Sequence, residues 1–168
     1  MNTLSRRSLL GAAAVLPLVA CSPPASAVAD QASERRFATS PWRNKTDAEW
    51  RGLLPPASYV VLRQQGTERP FSSPLLNEHR TGTFVCLGCA LPLFRSQWKF
   101  DSGTGWPSFF DVIHENIGTT VDTQLMEQRT EYHCAQCLGH QGHVFPDGPR
   151  PTGLRYCNDG VSLRFVPA

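Results

Sequence analysis

The chain has 168 residues, with 16 basic and 14 acidic side chains and a formal net charge of +2 at pH 7. That length corresponds to one domain, whose core is large enough to be stable alone. Arg6 and Arg7 are the only charged residues before Cys21, so the remainder carries 14 side chains of each sign. Without a basic stripe to neutralise phosphates, nucleic acid is not an expected partner.

The first 20 residues have the pattern of an export signal. The paired Arg6 and Arg7 precede an apolar run from Leu9 to Ala20, which is too short to span a bilayer as a helix. A buried N-terminal helix is the alternative, and the arginines and Pro17 disfavour it. The string SRRSLL resembles the twin-arginine export motif, whose translocon accepts folded, cofactor-loaded proteins. We therefore predict a twin-arginine-type signal over residues 1–20.

The string LVAC, which ends at Cys21, resembles the bacterial lipobox, in which the cysteine is acylated and becomes the mature N-terminus. The alternative is an ordinary cysteine upstream of a conventional cleavage site such as ASA at residues 25–27. We expect lipidation of Cys21 and a membrane-anchored, periplasmic or otherwise extracytoplasmic protein. Residues 21–45, largely polar and alanine-rich, are expected to form a flexible tether.

Helical signals come first in the predicted domain, which runs from residue 46 to residue 168. Thr46 and Glu49 have the spacing of a capping box. Pro55 ends this helix and introduces a second, for which Gly66 is the predicted C-terminal cap.

Strand signals dominate after Gly66. Short apolar and aromatic runs alternate with Gly, Pro, Asp and Asn, and no βαβ alternation is visible. This pattern predicts antiparallel strands joined by irregular loops. The predicted fold is therefore mainly β, with short helices in front.

Four cysteines form two C-x-x-C pairs, Cys86 with Cys89 and Cys134 with Cys137. Two such pairs are the ligand set of a closed, tetrahedral zinc site, and thiolates favour zinc over magnesium or calcium. Disulfides or a redox dithiol are the alternatives in an exported protein. Zinc is favoured because the pairs are matched, no thioredoxin-like βαβ unit surrounds either, and twin-arginine export preserves a metal loaded in the cytosol.

Cys157 is the cysteine left over, and core packing, a disulfide, metal ligation and nucleophilic catalysis are all open to it. Arg155 lies two residues earlier, on the same face if this is a strand, where its charge favours the thiolate. His140 and His143 are able to hold a proton near neutral pH. Trp106, in a glycine-rich loop, suits a small apolar group. Taken singly, each has a purely structural alternative; together they favour a reactive site.

The strings RPF, CLGCALPLF, KFDSGTGWPSF, CAQCLGHQGHVFPDGPRPTGLRYC and SLRF resemble the methionine-R-sulfoxide reductase family, the B type. The resemblance runs from Thr46 to Val166. It implies two small antiparallel sheets in a β-tent-like arrangement, with the helices outside. It also implies one structural zinc ion, with four ligands: Cys86, Cys89, Cys134 and Cys137.

The resemblance also implies roles for residues of the site. Cys157 matches the catalytic cysteine, whose thiolate attacks the sulfoxide sulfur and becomes a sulfenic acid, and Arg155 matches the arginine that keeps it ionised. His143 matches the proton-handling histidine, with His140 beside it, and Trp106 matches the ring that contacts the S-methyl group. The implied activity is reduction of the R epimer of methionine sulfoxide in oxidised proteins and peptides.

Two positions depart from the family pattern. Thr104 stands where many members have a resolving cysteine, so we expect the sulfenic acid to be reduced by an external thiol or a thioredoxin-like partner. Asp159 stands where an asparagine is usual. Ionised in the site, it would oppose formation of the Cys157 thiolate; paired with His143 or Arg155, it would keep a histidine charged.

Three other classes of function are alternatives to the reductase. A zinc-stabilised binding module requires an inert Cys157, and a cysteine hydrolase requires an oxyanion hole that the sequence does not offer. A thiol-disulfide oxidoreductase requires redox-active cysteine pairs without zinc. The reductase, as a monomer, is the favoured hypothesis.

Overall fold

The computed structural model describes residues 32–124 and 128–168. The predicted signal at residues 1–20 and the predicted lipidation site at Cys21 lie outside the described residues. Within those two ranges, no helix has both the length and the apolar character needed to cross a membrane.

Two helices precede the strands, as predicted. Helix α1 spans Asp47–Leu53, and its capping box is confirmed: Thr46 Oγ1 accepts from the Glu49 N–H, and Glu49 Oε2 accepts from the Thr46 N–H. Helix α2 spans Pro56–Gln64 and begins at the predicted proline. It ends with Gln65 in the left-handed conformation (φ 55°), so the predicted cap at Gly66 is one residue late.

The tether expected over residues 21–45 differs from the structure in its described part. Residues 32–36 are helical, and a 3-10 turn spans Pro41–Asn44. Glu34 lies 3.1 Å from His133, and Arg43 donates to the Ala135 carbonyl at 2.7 Å. These contacts with distant residues make this segment part of the folded domain.

The strands form two antiparallel sheets, which confirms the predicted mainly β fold. The small sheet has the order β2-β1-β9, and the large sheet has the order β3-β4-β8-β7-β6-β5. The strand bounds are Gly82–Cys86 (β1), Pro92–Arg95 (β2), Lys99–Phe100 (β3), Ser108–Phe109 (β4), Ile117–Asp122 (β5), Arg129–Cys134 (β6), His140–Phe145 (β7), Arg155–Asn158 (β8) and Leu163–Pro167 (β9). Short 3-10 turns complete the loops at Pro74–Asn77, Ser96–Trp98, His114–Asn116 and Gly160–Ser162.

Aromatic rings fill the space between the sheets. Phe84 and Phe94 of the small sheet pack against Phe109 of the large sheet, with ring centroids 5.0 and 4.1 Å apart. Tyr132 and Tyr156 extend the cluster along the large sheet, 5.5 Å apart. All five side chains are buried. Their packing fixes the orientation of the sheets, and with it the loops and strands that carry the candidate site.

Candidate active site

The four predicted metal ligands come together. Cys86 ends β1 of the small sheet, and Cys134 ends β6 of the large sheet, each followed by its C-x-x-C partner. The four sulfur atoms lie within 4.8 Å of one another, and all four residues are buried. Cys86 Sγ is 3.6 Å from Cys137 Sγ, and Cys89 Sγ is 3.4 Å from Cys134 Sγ. The cluster therefore joins the two sheets.

The two cysteine turns share one backbone geometry. The Ala90 N–H donates to the Cys86 carbonyl, and the Leu138 N–H donates to the Cys134 carbonyl, at 2.8 and 2.9 Å. Ala90 and Leu138 both adopt the left-handed conformation, with φ of 61° and 59°. Both turns are thus built to aim two sulfurs at a common point.

The sulfur spacing fits a tetrahedral zinc ion. Ligands at about 2.3 Å from zinc lie about 3.8 Å apart, whereas a disulfide requires about 2.05 Å. Nearby groups support the thiols: Gln141 Nε2 donates to Cys86 Sγ at 3.4 Å, and Arg63 donates to the Cys137 carbonyl at 2.9 Å. The cluster is therefore compatible with a structural metal site.

Cys157 lies apart from this cluster, in the middle of the large sheet. Its strand β8 runs between β4 and β7, and Cys157 is directly opposite Ser108 on one side and His143 on the other. Directly opposed residues of antiparallel strands share a face, with Cβ atoms about 5 Å apart. The cysteine is half-buried. The sheet thus places the thiol and the His143 imidazole side by side.

A cavity of about 200 Å³ opens in front of Cys157, and we call it the Cys157 cavity. Trp106, His143, Phe145 and Asp159 contribute to its wall. The indole Nε1–H of Trp106 donates to the Glu68 carbonyl at 3.1 Å, which fixes the ring. The cavity therefore combines a nucleophilic sulfur, an imidazole and an aromatic wall in a volume suited to a small side chain.

His143 is held by an acid that the sequence analysis did not identify. Its Nε2 lies 2.8 Å from Asp122 Oδ2, and Arg129 donates to the same oxygen at 2.5 Å. Burial lowers the pKa of His143, and the hydrogen bond with Asp122 only partly opposes this. Of the alternatives that the sequence left open, the pairing of Asp159 with His143 is thus not found, and burial favours the neutral imidazole.

His140 is also buried but does not line the Cys157 cavity. Its Nδ1 lies 2.9 Å from Glu131 Oε1, and His133 lies 3.1 Å from the other oxygen of Glu131. Burial opposes ionisation of Glu131, but hydrogen bonds from His133, His140 and Thr120 hold its pKa well below the usual value. His140 is thereby oriented with its Nε2 unpaired among the described atoms.

Asp159 faces His140 rather than His143 or Arg155. Its Oδ2 lies 4.0 Å from His140 Nε2, and its Oδ1 accepts from the Glu68 N–H at 2.8 Å. Burial raises the pKa of Asp159 to about 6, against the lowering effects of that N–H and of His140. Asp159 also lines the Cys157 cavity, so it is an acid that titrates near neutrality beside the thiol.

Arg155 is paired with Asp147, so the alternative in which it pairs with Asp159 is not found either. The guanidinium donates to both carboxylate oxygens, at 2.9 and 2.8 Å, and stacks on the Phe145 ring at 4.4 Å. Burial raises the pKa of the Cys157 thiol, Arg155 lowers it, and Asp159 raises it further. The arginine thus acts in the expected direction, although burial is the larger effect.

Thr104 lies beside Cys157. Its hydroxyl is near enough to the Cys157 sulfur to lower the pKa of that thiol. The same hydroxyl lies 2.8 Å from Ser102 Oγ, which in turn lies 2.8 Å from Ser108 Oγ. Position 104, where many family members have a resolving cysteine, therefore lies close to the Cys157 sulfur.

Glu68 is the positioning residue that the sequence analysis missed. Its carbonyl holds Trp106, its N–H holds Asp159, and its carboxylate accepts from the Gly160 and Val161 N–H groups. The predicted site residues other than the metal ligands thus converge around Cys157, with His140 behind the cavity wall. Together they provide a nucleophile, a proton carrier and an apolar surface, which is the chemistry of attack on a small, polarised atom.

Comparison with known proteins points to one family. Residues 54–167 match the SelR domain family, which is more than half of the chain. A peptide methionine sulfoxide reductase MsrB of Agrobacterium fabrum is 52% identical over 130 residues, covering 77% of this chain and 96% of that protein. The MsrB of Pseudomonas entomophila is 54% identical over 125 residues, covering 74% and 95%. The MsrB of Methanosarcina barkeri is 50% identical over 122 residues, covering 72% and 86%.

Proposed function

Since this chain belongs to the MsrB family of methionine sulfoxide reductases, we propose that it reduces peptide-bound R-methionine sulfoxide through the thiolate of Cys157. The enzyme is an oxidoreductase of the peptide-methionine (R)-S-oxide reductase type. The observation that carries the proposed mechanism is the position of Cys157, opposite His143 on a shared sheet face and in a cavity walled by Trp106.

The proposed reaction moves one oxygen atom between two sulfurs. The Cys157 sulfur attacks the sulfoxide sulfur to form an S–S bond, and the protonated oxygen leaves the methionine sulfur. Addition of that oxygen to Cys157 then breaks the S–S bond and leaves Cys157 as a sulfenic acid. Two electrons pass from the cysteine to the methionine sulfur, and methionine leaves. Trp106 contacts the S-methyl group and so orients the sulfoxide for attack.

His143 carries the proton in this proposal. Because burial raises the pKa of Cys157 and lowers the pKa of His143, the resting pair is a thiol beside a neutral imidazole. His143 accepts the thiol proton, its charge is stabilised by Asp122 at 2.8 Å, and it returns the proton to the sulfoxide oxygen. Arg155 and Thr104, which both lower the pKa of Cys157, stabilise the thiolate during this transfer.

Zinc bound by Cys86, Cys89, Cys134 and Cys137 is proposed to have a structural role. A closed set of four thiolates leaves no open position for a substrate. The ion would supply a cross-link between the two sheets, and the reaction steps belong to the groups around Cys157.

Regeneration is proposed to depend on an external reductant. Among the described residues, the cysteines other than Cys157 are the four of the buried cluster. A first external thiol condenses with the sulfenic acid to give a mixed disulfide and water, and a second thiol, small or thioredoxin-like, restores Cys157.

Thr104→Cys is expected to convert this single-thiol enzyme into one that forms an internal disulfide. The Thr104 side chain already contacts the Cys157 sulfur, so a thiol placed there can attack the sulfenic acid. After one turnover without reductant, the wild-type enzyme should be labelled by dimedone, a reagent for sulfenic acids, and Thr104→Cys should not. Mass spectrometry would locate the disulfide. Ser102→Cys, in the same loop, is the matched control. An internal disulfide on Cys157 in the wild-type enzyme would contradict the single-thiol proposal.

Asp159 is proposed to make the Cys157 thiol less acidic above about pH 6, where the carboxylate ionises. Asp159→Asn removes that charge, so the pKa of Cys157 is expected to fall. The pH at which iodoacetamide alkylation of Cys157 is half-maximal should move down, and alkylation at pH 7 should become faster. Glu115→Gln removes a charge from a residue that lines neither the Cys157 cavity nor the cluster. An unchanged alkylation profile in Asp159→Asn would contradict this role.

The experiment that tests the proposed function is turnover of the separated R and S epimers of a methionine sulfoxide peptide, with dithiothreitol as reductant. Reduction of the R epimer alone is the expected result. Reduction of the S epimer, or of neither epimer by folded protein, would overturn the proposal.

The cellular role is proposed from the sequence. Residues 1–20 direct export by the twin-arginine route, Cys21 carries the lipid anchor, and the enzyme repairs oxidised proteins in the periplasm or an equivalent compartment as a monomer. Since residues 32–45 pack on the domain, the tether in this proposal is confined to residues 21–31. Palmitate labelling of wild-type protein and of Cys21→Ser would test the anchor.

A further inference from the structure

We propose that a second cavity, on the far side of Trp106, binds an apolar side chain next to the oxidised methionine in a peptide substrate. This inference rests on the proposed function, because it assumes that the sulfoxide enters the Cys157 cavity. The second cavity has a volume of about 350 Å³, and we call it the Phe71 cavity. Phe71, Phe100, Gly105 and Trp106 contribute to its wall.

Phe71 is an exposed aromatic residue held in an unusual backbone conformation. It is 72% exposed, and its φ is 62°, which non-glycine residues seldom adopt. Its N–H donates to the Gly105 carbonyl at 2.7 Å. A Cβ atom on Gly105 would lie 2.9 Å from two atoms of the Phe71 ring. The ring is thus fixed against the loop that carries Trp106, although it buries little of its own surface. Strained, exposed apolar residues of this kind point to a binding role.

The Phe71 cavity and the proposed substrate site share a wall residue. Trp106 lines both cavities, and its indole is held by Glu68, three residues before Phe71. An extended peptide advances about 3.3 Å per residue. A chain that places a sulfoxide in the Cys157 cavity and crosses Trp106 therefore brings a residue one or two positions away to the Phe71 ring.

The wall of the Phe71 cavity is mixed, with Asn77 and His79 beside the aromatic rings, and it is the rings that favour an apolar or aromatic occupant. Two charged residues at its wall already have protein partners: Lys99 Nζ donates to the Leu76 carbonyl at 2.8 Å, and Asp101 accepts from the Gly103 N–H at 2.9 Å. The aromatic surfaces of Phe71, Phe100 and Trp106 remain for contact with a ligand. Aromatic pairs add to the free energy of burial, and an aromatic neighbour should therefore bind best.

The test compares peptides that differ only beside the sulfoxide. The substrates are N-acetyl R-methionine sulfoxide amide, a glycine-flanked R-sulfoxide pentapeptide, and pentapeptides with phenylalanine one or two positions away on either side. For the wild-type enzyme, kcat/KM should be about fivefold higher for the preferred phenylalanine peptide than for the glycine peptide, through a lower KM.

Phe71→Gly is the main variant, because glycine adopts φ 62° without strain. It should abolish the phenylalanine preference and leave turnover of the acetylated amide within about twofold of wild type. Phe71→Asn tolerates the same backbone conformation and is the second variant, should the first fail to fold. Leu53→Gln removes another exposed apolar side chain, 54% exposed on α1, and should change nothing.

Each outcome bears on one proposal only. A wild-type enzyme that turns over the amide but shows no preference among the peptides would overturn the Phe71 cavity proposal. A preference that persists in both Phe71 variants would do the same. A folded wild-type enzyme that reduces neither the amide nor any peptide would instead contradict the proposed function.

Discussion

Cys157→Ser is expected to lower kcat/KM for an R-methionine sulfoxide peptide by at least about a thousandfold. The serine hydroxyl is a poor nucleophile at neutral pH, and His143, whose pKa is lowered by burial, is too weak a base to ionise it. The substitution removes one polarizable atom from a half-buried position, so binding of the peptide should change far less than turnover. Steady-state kinetics with dithiothreitol would measure both, and a burst of methionine in single-turnover experiments should disappear.

The matched control for this substitution is Ser108→Ala. Ser108 lies directly opposite Cys157 on β4 and is buried, so this change alters the neighbouring strand and leaves the sulfur in place. Its kcat/KM should stay within about tenfold of wild type. Retention of more than a tenth of the activity in Cys157→Ser would assign the chemistry to another residue.

Cys134→Ser is expected to cost about 4 kcal/mol of folding free energy and to lower Tm by roughly 10–20 °C. The cluster joins the last residue of β1 in the small sheet to the last residue of β6 in the large sheet. Without one ligand, three buried sulfurs lose their shared partner and the sheets lose a cross-link. Circular dichroism would follow unfolding, and atomic absorption would count zinc, with one ion per wild-type chain expected.

Cys157→Ser provides the matched control for that experiment, since it makes the same atomic change outside the cluster. It should retain one zinc ion and a Tm within about 3 °C of wild type. Zinc-free wild-type protein with two titratable disulfides would refute the metal assignment. The metal assignment would also be refuted if neither Cys134→Ser nor a chelator lowered the Tm.

The clustering of the four cysteines and the placement of Arg155 beside Cys157 were accessible from sequence because their signals are local. A C-x-x-C turn positions two sulfurs within five residues, and the repeated turn geometry at Ala90 and Leu138 reflects that local determination. Arg155 and Cys157 share a strand face because side chains alternate with period two. The mainly β fold followed from the short apolar runs for the same reason.

The partners of the ionisable groups were not accessible in this way. Asp122 reaches His143 from 21 residues away through strand pairing, and Glu68 reaches Asp159 from 91 residues away between two loops. No local pattern encodes either contact. The sequence therefore left the partner of Asp159 open, although the effect of its charge on the pKa of the Cys157 thiol has the sign considered there. The contacts of residues 32–45 were missed because their anchors, such as Ala135, lie far along the chain.

The central position of Cys157 in the large sheet limits the choice of oxidised proteins that the proposed reaction can reach. A nucleophile on an inner strand, hydrogen-bonded on both sides through β4 and β7, cannot move out to meet its target. The oxidised side chain must instead extend away from its own backbone into the Cys157 cavity. Methionines packed in a stable core do not do this, whereas those exposed by local unfolding do. Selection among oxidised proteins would thus depend on the flexibility of the substrate protein rather than on motion of the enzyme.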